Sequence, residues 1–240
     1  MFCPTKAAST PEPRSSRWPG RDLEGGLCFA IVGEVRNSGE RAIARGTSVW
    51  LRAFERDDLD DYWRCINDRE VSYWAGYSYP HSHDGVLDWY EHQVRDGHGK
   101  NGLWFAVSPL GSSEFLGSTW LWNFDARLHG PASAELSIYI GDPGRWGSGI
   151  GTDAVNATVD AGFGFWPLAK IWLSTSANNE RSQKAFAKAG FATDGRLRRT
   201  ELRRGEVGDT VVMSMLREEW VALERPKSWD LPPGDSSSDR

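Results

Sequence analysis

The stretch GRWGSGIGTDA, residues 144–154, puts four glycines into eleven positions between an alternating apolar run, AELSIYI, and a longer apolar run with helical spacing. A strand, a glycine turn and a helix, followed by Pro167 and the strand-like KIWLSTS, make a βαβ unit, because a parallel neighbour is reached only through a crossover. From Gly149 the helical pattern sets Ile150, Ala154, Ala157, Ala161 and Phe165 on one face. The N–H groups that open a helix lack partners within it, and the helix dipole adds partial positive charge there. Glycine then lets a ligand reach the backbone without meeting a side chain. The turn reads as an anion cradle, with a ligand-free glycine connection as its alternative.

Two other phosphate-binding readings are weaker. GIGTDA fits a G-x-G-x-x-A dinucleotide fingerprint and so raises a nicotinamide-dependent oxidoreductase. That motif follows the first strand of an alternating parallel fold and needs an acid about 20 positions on. Here strand-like runs precede the turn, and KIWLSTS ends without an acid. A Walker A lysine is also missing, since Thr152 and Asp153 follow Gly151.

Upstream, GLWFAVS, EFLGSTWLWNF and AELSIYIG are separated by turn-rich segments and predict an antiparallel meander. Before them, SVWLRAF predicts a strand, and ERDDLDDYWRCINDRE a helix capped by Asp57 or Asp58 that carries Leu59, Tyr62, Trp63 and Ile66. A long aromatic loop then leads to a second helix from about Asp84 to Val94. Downstream, a helix from Asn179 to Ala189 stops at Gly190, and strands near 192–203 and 207–216 flank the turn RRGEVGD. The expected fold class is α+β: a largely antiparallel sheet with a βαβ core and helices on both faces. Residues 1–46 read as a disordered or non-native extension, in which LCFAIVGEV is an unresolved strand candidate. Residues 47–222 form the folded domain, and 223–240 a disordered tail rich in Pro, Ser and charge.

A net charge of -5 argues against general affinity for nucleic acid or an anionic membrane. The three cysteines, at positions 3, 28 and 65, have no metal-ligand spacing and provide no disulfide framework. No metal is expected. The early apolar run is too short to span a bilayer, so the chain reads as a cytoplasmic monomer or homodimer.

Two segments together resemble the GCN5-related N-acetyltransferase (GNAT) superfamily, and within it the ribosomal-protein N-terminal acetyltransferase branch. WGSGIG, Trp146 to Gly151, is similar to that family's Gln/Arg-x-x-Gly-x-Gly/Ala turn, and SANNERSQKAFAKAGF to its Asn-x-x-Ser/Ala signature with a helix ending Lys-x-Gly-Phe. The resemblance spans about Ser48 to Trp220 and implies acetyl-CoA as cosubstrate. It implies that Ile138 and Ile140 on the preceding strand, the turn Arg145, Trp146, Gly147, Ser148, Gly149, Ile150, Gly151 and Thr152, and Asn179 and Phe186 of the second signature hold that cosubstrate. Two positions depart from the family pattern. Trp146 stands in the Gln/Arg slot, and Phe186 where many relatives carry the tyrosine that protonates the departing thiolate.

An amine acceptor is an ammonium at neutral pH, so transfer needs a base. In AELSIYI the apolar Leu136, Ile138 and Ile140 share one strand face, which puts Glu135, Ser137 and Tyr139 on the other. Glu135 is the candidate base or ammonium anchor, against the alternative of an ion pair or edge position. The oxyanion is assigned to a strand N–H near Ile138 or Tyr139, and transfer to the direct route, since Cys65 reads as a buried thiol. With Phe186 unable to act, Ser182, three after Asn179, and Tyr139 remain to protonate the thiolate. Asn179 also reads as an ordinary helix cap. Trp63, Trp74, Tyr77 and Tyr79 are candidates for a cation-binding aromatic wall, or for packing around the first helices. The acceptor is a primary amine, on a protein N-terminus or a small molecule. The rival reading is a catalytically weak acyl-CoA-binding or sensory module.

Overall fold

The computed structural model describes residues 42–77, 80–95, 102–125 and 132–231. Most of the expected N-terminal extension, together with Tyr79, lies outside them. Eight strands form one sheet in the order β1-β2-β3-β4-β5-β6-β8-β7. They run β1 Ala44–Arg45, β2 Val49–Ala53, β3 Gly102–Pro109, β4 Gly117–Asp125, β5 Ala132–Ile140, β6 Leu168–Ser176, β7 Ala192–Arg203 and β8 Glu206–Leu216. Every neighbouring pair is antiparallel except β5 with β6, the pair that the glycine turn and its helix connect. That parallel seam is short: only Ala132–Glu135 pairs, with partners between Leu168 and Trp172. Beyond Glu135 the two strands part, β5 staying on β4 and β6 on β8.

Alternation along the strands supplies two different faces. One buries Leu51, Phe105, Val107, Leu121, Leu136, Ile171, Leu173 and Met215 against the helix α4, Ile150–Phe165. Small residues at Ala154, Ala157 and Ala161 bring that helix close to the sheet, and Phe163 fills the far end; Phe165, expected inside, is 56% exposed. The helices α5, Glu180–Ala189, and α6, Arg217–Ala222, add Phe186, Ala189 and Trp220 to this core. The opposite face is aromatic, with Trp104, Trp120 and Tyr139 meeting Tyr62, Trp89 and Tyr90 from the helices α1, Leu59–Asn67, and α3, His83–Trp89, and the π-helical turn Tyr90–Arg95 that continues α3, together with Val71 of the helix α2, Arg69–Ala75, and Tyr77 just beyond its end.

The structure corrects several expectations. The stretch read as a loop after the first helix contains α2: Asp68 breaks α1, accepts hydrogen bonds from the N–H groups of Glu70 and Val71, and so starts a helix that ends at left-handed Gly76. Asp58 is no forward cap. It is buried, bridged by Arg52 at 2.6 Å, and accepts the Glu55 N–H. At the N-terminal boundary, Ala44 and Arg45 already belong to the sheet. Asp153 holds the adjoining turn, its carboxylate accepting five hydrogen bonds from Thr47, Ser48 and Val49.

Residues 223–231, expected in a disordered tail, pack on α4. Asp160, 1% exposed, takes two hydrogen bonds from Arg225, one from the Trp220 indole and two from Ser228. A buried carboxylate needs such partners, and the stretch from Trp220 to Ser228 supplies them. Arg217 donates to the carbonyls of Phe163, Trp166 and Leu168, meeting the unpaired end of the same helix.

Candidate active site

Where β5 and β6 part, a cleft of about 770 Å³ opens between α2, α4 and α5. Of the expected site residues, Glu135, Tyr139, Ser182, Ile138, Ile140, Asn179 and Phe186 all line it. From the glycine turn, Arg145, Trp146, Gly147, Gly149, Gly151 and Thr152 do so as well. Ser148 and Ile150 do not. The Ser148 hydroxyl donates back to the Arg145 carbonyl at 2.6 Å, and Ile150 packs against the aliphatic core. Arg145 contributes little charge to the cleft, because its guanidinium pairs with Glu114 at 2.6 Å and lies 3.5 Å from Asp142.

The turn has the form that an anionic group requires. Gly147 and Gly149 hold φ of 82° and 96°, a left-handed backbone that side-chain-bearing residues rarely adopt. A Cβ on either would meet nothing within 4 Å, so it would stand in open space at the cleft. Gly149 caps α4 with no side-chain hydrogen bond, and the Asp153 N–H is the first to reach back, to the Gly149 carbonyl at 3.0 Å. Among the described residues, the N–H groups of Gly147, Gly149, Ile150, Gly151 and Thr152 have no acceptor. Asp153, the acid in the first turn, is spent on Thr47, Ser48 and Val49. A diphosphate fits this set of donors.

The β5 alternation divides the site as expected: Leu136, Ile138 and Ile140 face α4, and Glu135, Ser137 and Tyr139 face the aromatic side. Glu135 is half-buried and forms no salt bridge among the described residues. Among the described residues its one hydrogen bond comes from Asn123 Nδ2 at 2.8 Å. Burial raises its carboxyl above the ordinary range, and the Asn123 bond partly offsets this. Asn123 can reach because β4 is irregular between Trp122 and Asp125, with Asn123 at φ 49°. Sequence reasoning missed this residue; its signal was an Asn, a residue that tolerates left-handed backbone, inside an aromatic strand.

Tyr139 is 6% exposed and its hydroxyl has no hydrogen-bond partner. Burial holds its pKa well above 10, with Tyr77 and Tyr62 adding to the effect, so at neutral pH it is a donor. Its ring lies 6.1 Å from those of Tyr62 and Tyr77 and 6.2 Å from that of Trp120, which also lines the cleft. Of the expected aromatic wall, Trp74 and Tyr77 line the cleft. Trp63 instead stacks on His83 at 4.0 Å and donates to the His81 carbonyl.

Asn179 caps α5 by accepting the Ser182 N–H at 3.1 Å and is itself buried, so cap and cleft positions coincide. Phe186 is 6% exposed, edge-on to Phe191. Cys65 lies off the cleft, beneath Gly141, its thiol pushed up to about 11 by burial first and by nearby carboxylates second. At that value it is an inert thiol. Among the described residues no group of three or more His, Cys, Asp or Glu could hold a metal ion, and no helix is long and apolar enough to cross a membrane.

The comparisons with known proteins agree with this geometry. The uncharacterized N-acetyltransferase YoaA of Bacillus subtilis is 23% identical over 167 residues, covering 70% of this chain and 92% of its own. The crystal structure of a spermidine N-acetyltransferase from Vibrio cholerae, in complex with CoA and spermine, superposes with a TM-score of 0.65 at 24% identity, over 72% of this chain and 98% of that one. An acetyltransferase of the GNAT family from Bacillus anthracis does so with a TM-score of 0.60 at 18% identity, over 73% and 98%. At these identities the structural likeness is one of fold. The profile of the acetyltransferase (GNAT) domain matches residues 48–192, more than half of the sequence. The chain therefore belongs to the GNAT family of acetyltransferases, and is an enzyme with that family's fold.

Proposed function

We propose that the chain is an acetyl-CoA-dependent N-acetyltransferase that transfers an acetyl group directly to a primary amine. The observation that carries this reading is the joining of two unlike sites by one strand. At the C-terminal end of β5 an unpartnered N–H cradle suits a diphosphate. On its outward face Glu135 stands half-buried among aromatics. Bound acetyl-CoA would supply an activated thioester carbonyl. The cradle from Gly147 to Thr152 would hold its diphosphate, and Ile138, Ile140, Asn179 and Phe186 the arm leading inward.

Glu135 receives the ammonium proton at its carboxylate, for which a pKa raised towards neutrality suits a base. A backbone N–H of β5 near Ile138 or Tyr139, on the stretch that β6 leaves unpaired, stabilises the oxyanion. The Tyr139 hydroxyl, unpartnered and firmly protonated, hydrogen-bonds the departing sulfur. A thiol pKa of about 8.5 lies below that of the Tyr139 hydroxyl and further below that of an aliphatic hydroxyl, so Tyr139 and Ser182 hold the departing sulfur by hydrogen bonds and complete proton transfer falls to water. The acceptor pocket between Trp74, Tyr77 and Trp120 presents ring faces suited to a cation. We place the chain with the ribosomal-protein N-terminal acetyltransferase branch and its small-amine relatives, on the two sequence signatures. We also place the catalytic domain at residues 44–231, its two flanking segments included, and the enzyme in the cytoplasm, as a monomer or homodimer.

Thiol release from acetyl-CoA, measured against a panel of peptides with free N-termini, polyamines and aminoglycosides from pH 6 to 9, tests the reading. Amine-dependent release is expected. Tight acetyl-CoA binding with no release for any amine would favour the non-catalytic, acyl-CoA-sensing alternative.

A further inference from the structure

Among the described residues, every cation lining the cleft but Arg181 and Lys188 has a carboxylate partner. Arg145 pairs with Glu114, Lys184 with Glu180 at 3.0 Å and Arg203 with Glu201 at 2.9 Å, while Lys188 sits in the last turn of α5, where the helix dipole suits it. Arg181, in the first turn of α5, has no carboxylate within 4.0 Å among the described residues. Its position is also the unfavourable end of that dipole. Its guanidinium instead lies 3.9 Å over the Trp146 ring and 5.9 Å from that of Trp74. Desolvation pulls its pKa down and the Glu70 charge pushes it up.

Stacking on an indole at an exposed site is weak compensation for a cation, whereas a phosphate oxygen offers charge-assisted hydrogen bonds. The platform is fixed: the Trp146 indole N–H donates to the Ile140 carbonyl at 2.8 Å, and the next residue, Gly147, begins the cradle. We infer that Arg181 is the cation that binds the cofactor's diphosphate, and that Trp146 aims it. The positive side chain comes from α5 and not from the glycine turn, which accounts for a tryptophan at position 146. This inference rests on the acetyl-CoA reading above.

Calorimetric titration with CoA and with 3′-dephospho-CoA tests it, because both ligands carry the diphosphate. Arg181 is exposed, so Arg181→Ala leaves the fold intact. It is expected to raise Kd about tenfold for both ligands, the loss of roughly one charge-assisted contact. Arg181→Lys should retain part of the affinity, and Trp146→Arg placed in the Arg181→Ala background should recover part of it. Unchanged Kd values in Arg181→Ala overturn the inference. So does a loss seen with CoA but absent with 3′-dephospho-CoA, which would assign Arg181 to the 3′-phosphate. Wild-type protein that binds neither ligand would instead remove the acetyl-CoA reading on which the inference stands.

Discussion

The two carboxylates carried by α4 and the polar groups of the β5 face at the cleft are partnered in opposite ways. On the α4 face, Asp153 and Asp160 each accept five hydrogen bonds, and both lie under 10% exposed. On the aromatic face the Tyr139 hydroxyl and the Trp104 indole N–H are buried without partners, and Glu135 has one neutral donor among the described residues. Saturated carboxylates anchor chain segments, whereas an undersupplied one keeps capacity for a substrate. Carboxylates of similar chemistry thus serve stability on one side and reaction on the other.

The largest effect should come from the saturated side. Asp160→Ala leaves the Arg225 guanidinium without its carboxylate and the Trp220 N–H without its acceptor, and should cost about 3–5 kcal/mol in urea-induced unfolding. The protein that remains folded should keep its affinity for acetyl-CoA. Glu135→Gln should do the reverse, lowering kcat at pH 7 about a hundredfold or more, the range of a lost general base. Its stability should not fall. A carboxyl whose folded pKa is raised contributes stability below its unfolded pKa and loses it as pH rises through the folded value, so removing the charge relieves a penalty at neutral pH. A large drop in unfolding free energy for Glu135→Gln would erase the contrast between the faces.

Smaller effects sharpen it. Gly149→Val, at φ 96°, imposes backbone strain of about 1–2 kcal/mol and puts a side chain at the cradle. It should raise the acetyl-CoA KM much more than the amine KM in steady-state assays; equal changes would count against the cradle. Asn123→Ala is the mildest. The bond it removes holds the Glu135 pKa down, so the acidic limb of the pH profile of kcat/KM should move to higher pH. A limb that stays put, or moves to lower pH, would exclude Glu135 as the group titrating there.

The βαβ unit was legible because a helical repeat, a glycine-dense turn and a proline stop agree over more than thirty residues. The β5 alternation alone separated Glu135 and Tyr139 from the aliphatic core. What escaped was set by contacts distant in sequence. α2 has seven residues, too few for a periodicity, and only the pair of Asp68 and Gly76 marks its ends. Asp153 and Asp160 stand seven apart in a helix that is otherwise apolar almost all round, a sign that partners must arrive from elsewhere, yet nothing local says they lie at 47–49 and 220–228. Arg181 carries no signal of its own in the sequence, since its platform is 35 positions away.

The brevity of the parallel seam has a mechanical meaning. With four paired residues joining β5 to β6, the sheet consists of two leaves, β1–β5 and β6–β8, hinged at one end and clasped by α4. A molecule seated in the gap touches both leaves, so it acts as a removable cross-brace. Its binding energy adds to the free energy of unfolding by mass action. The enzyme would be most rigid when charged with cosubstrate and most compliant between turnovers.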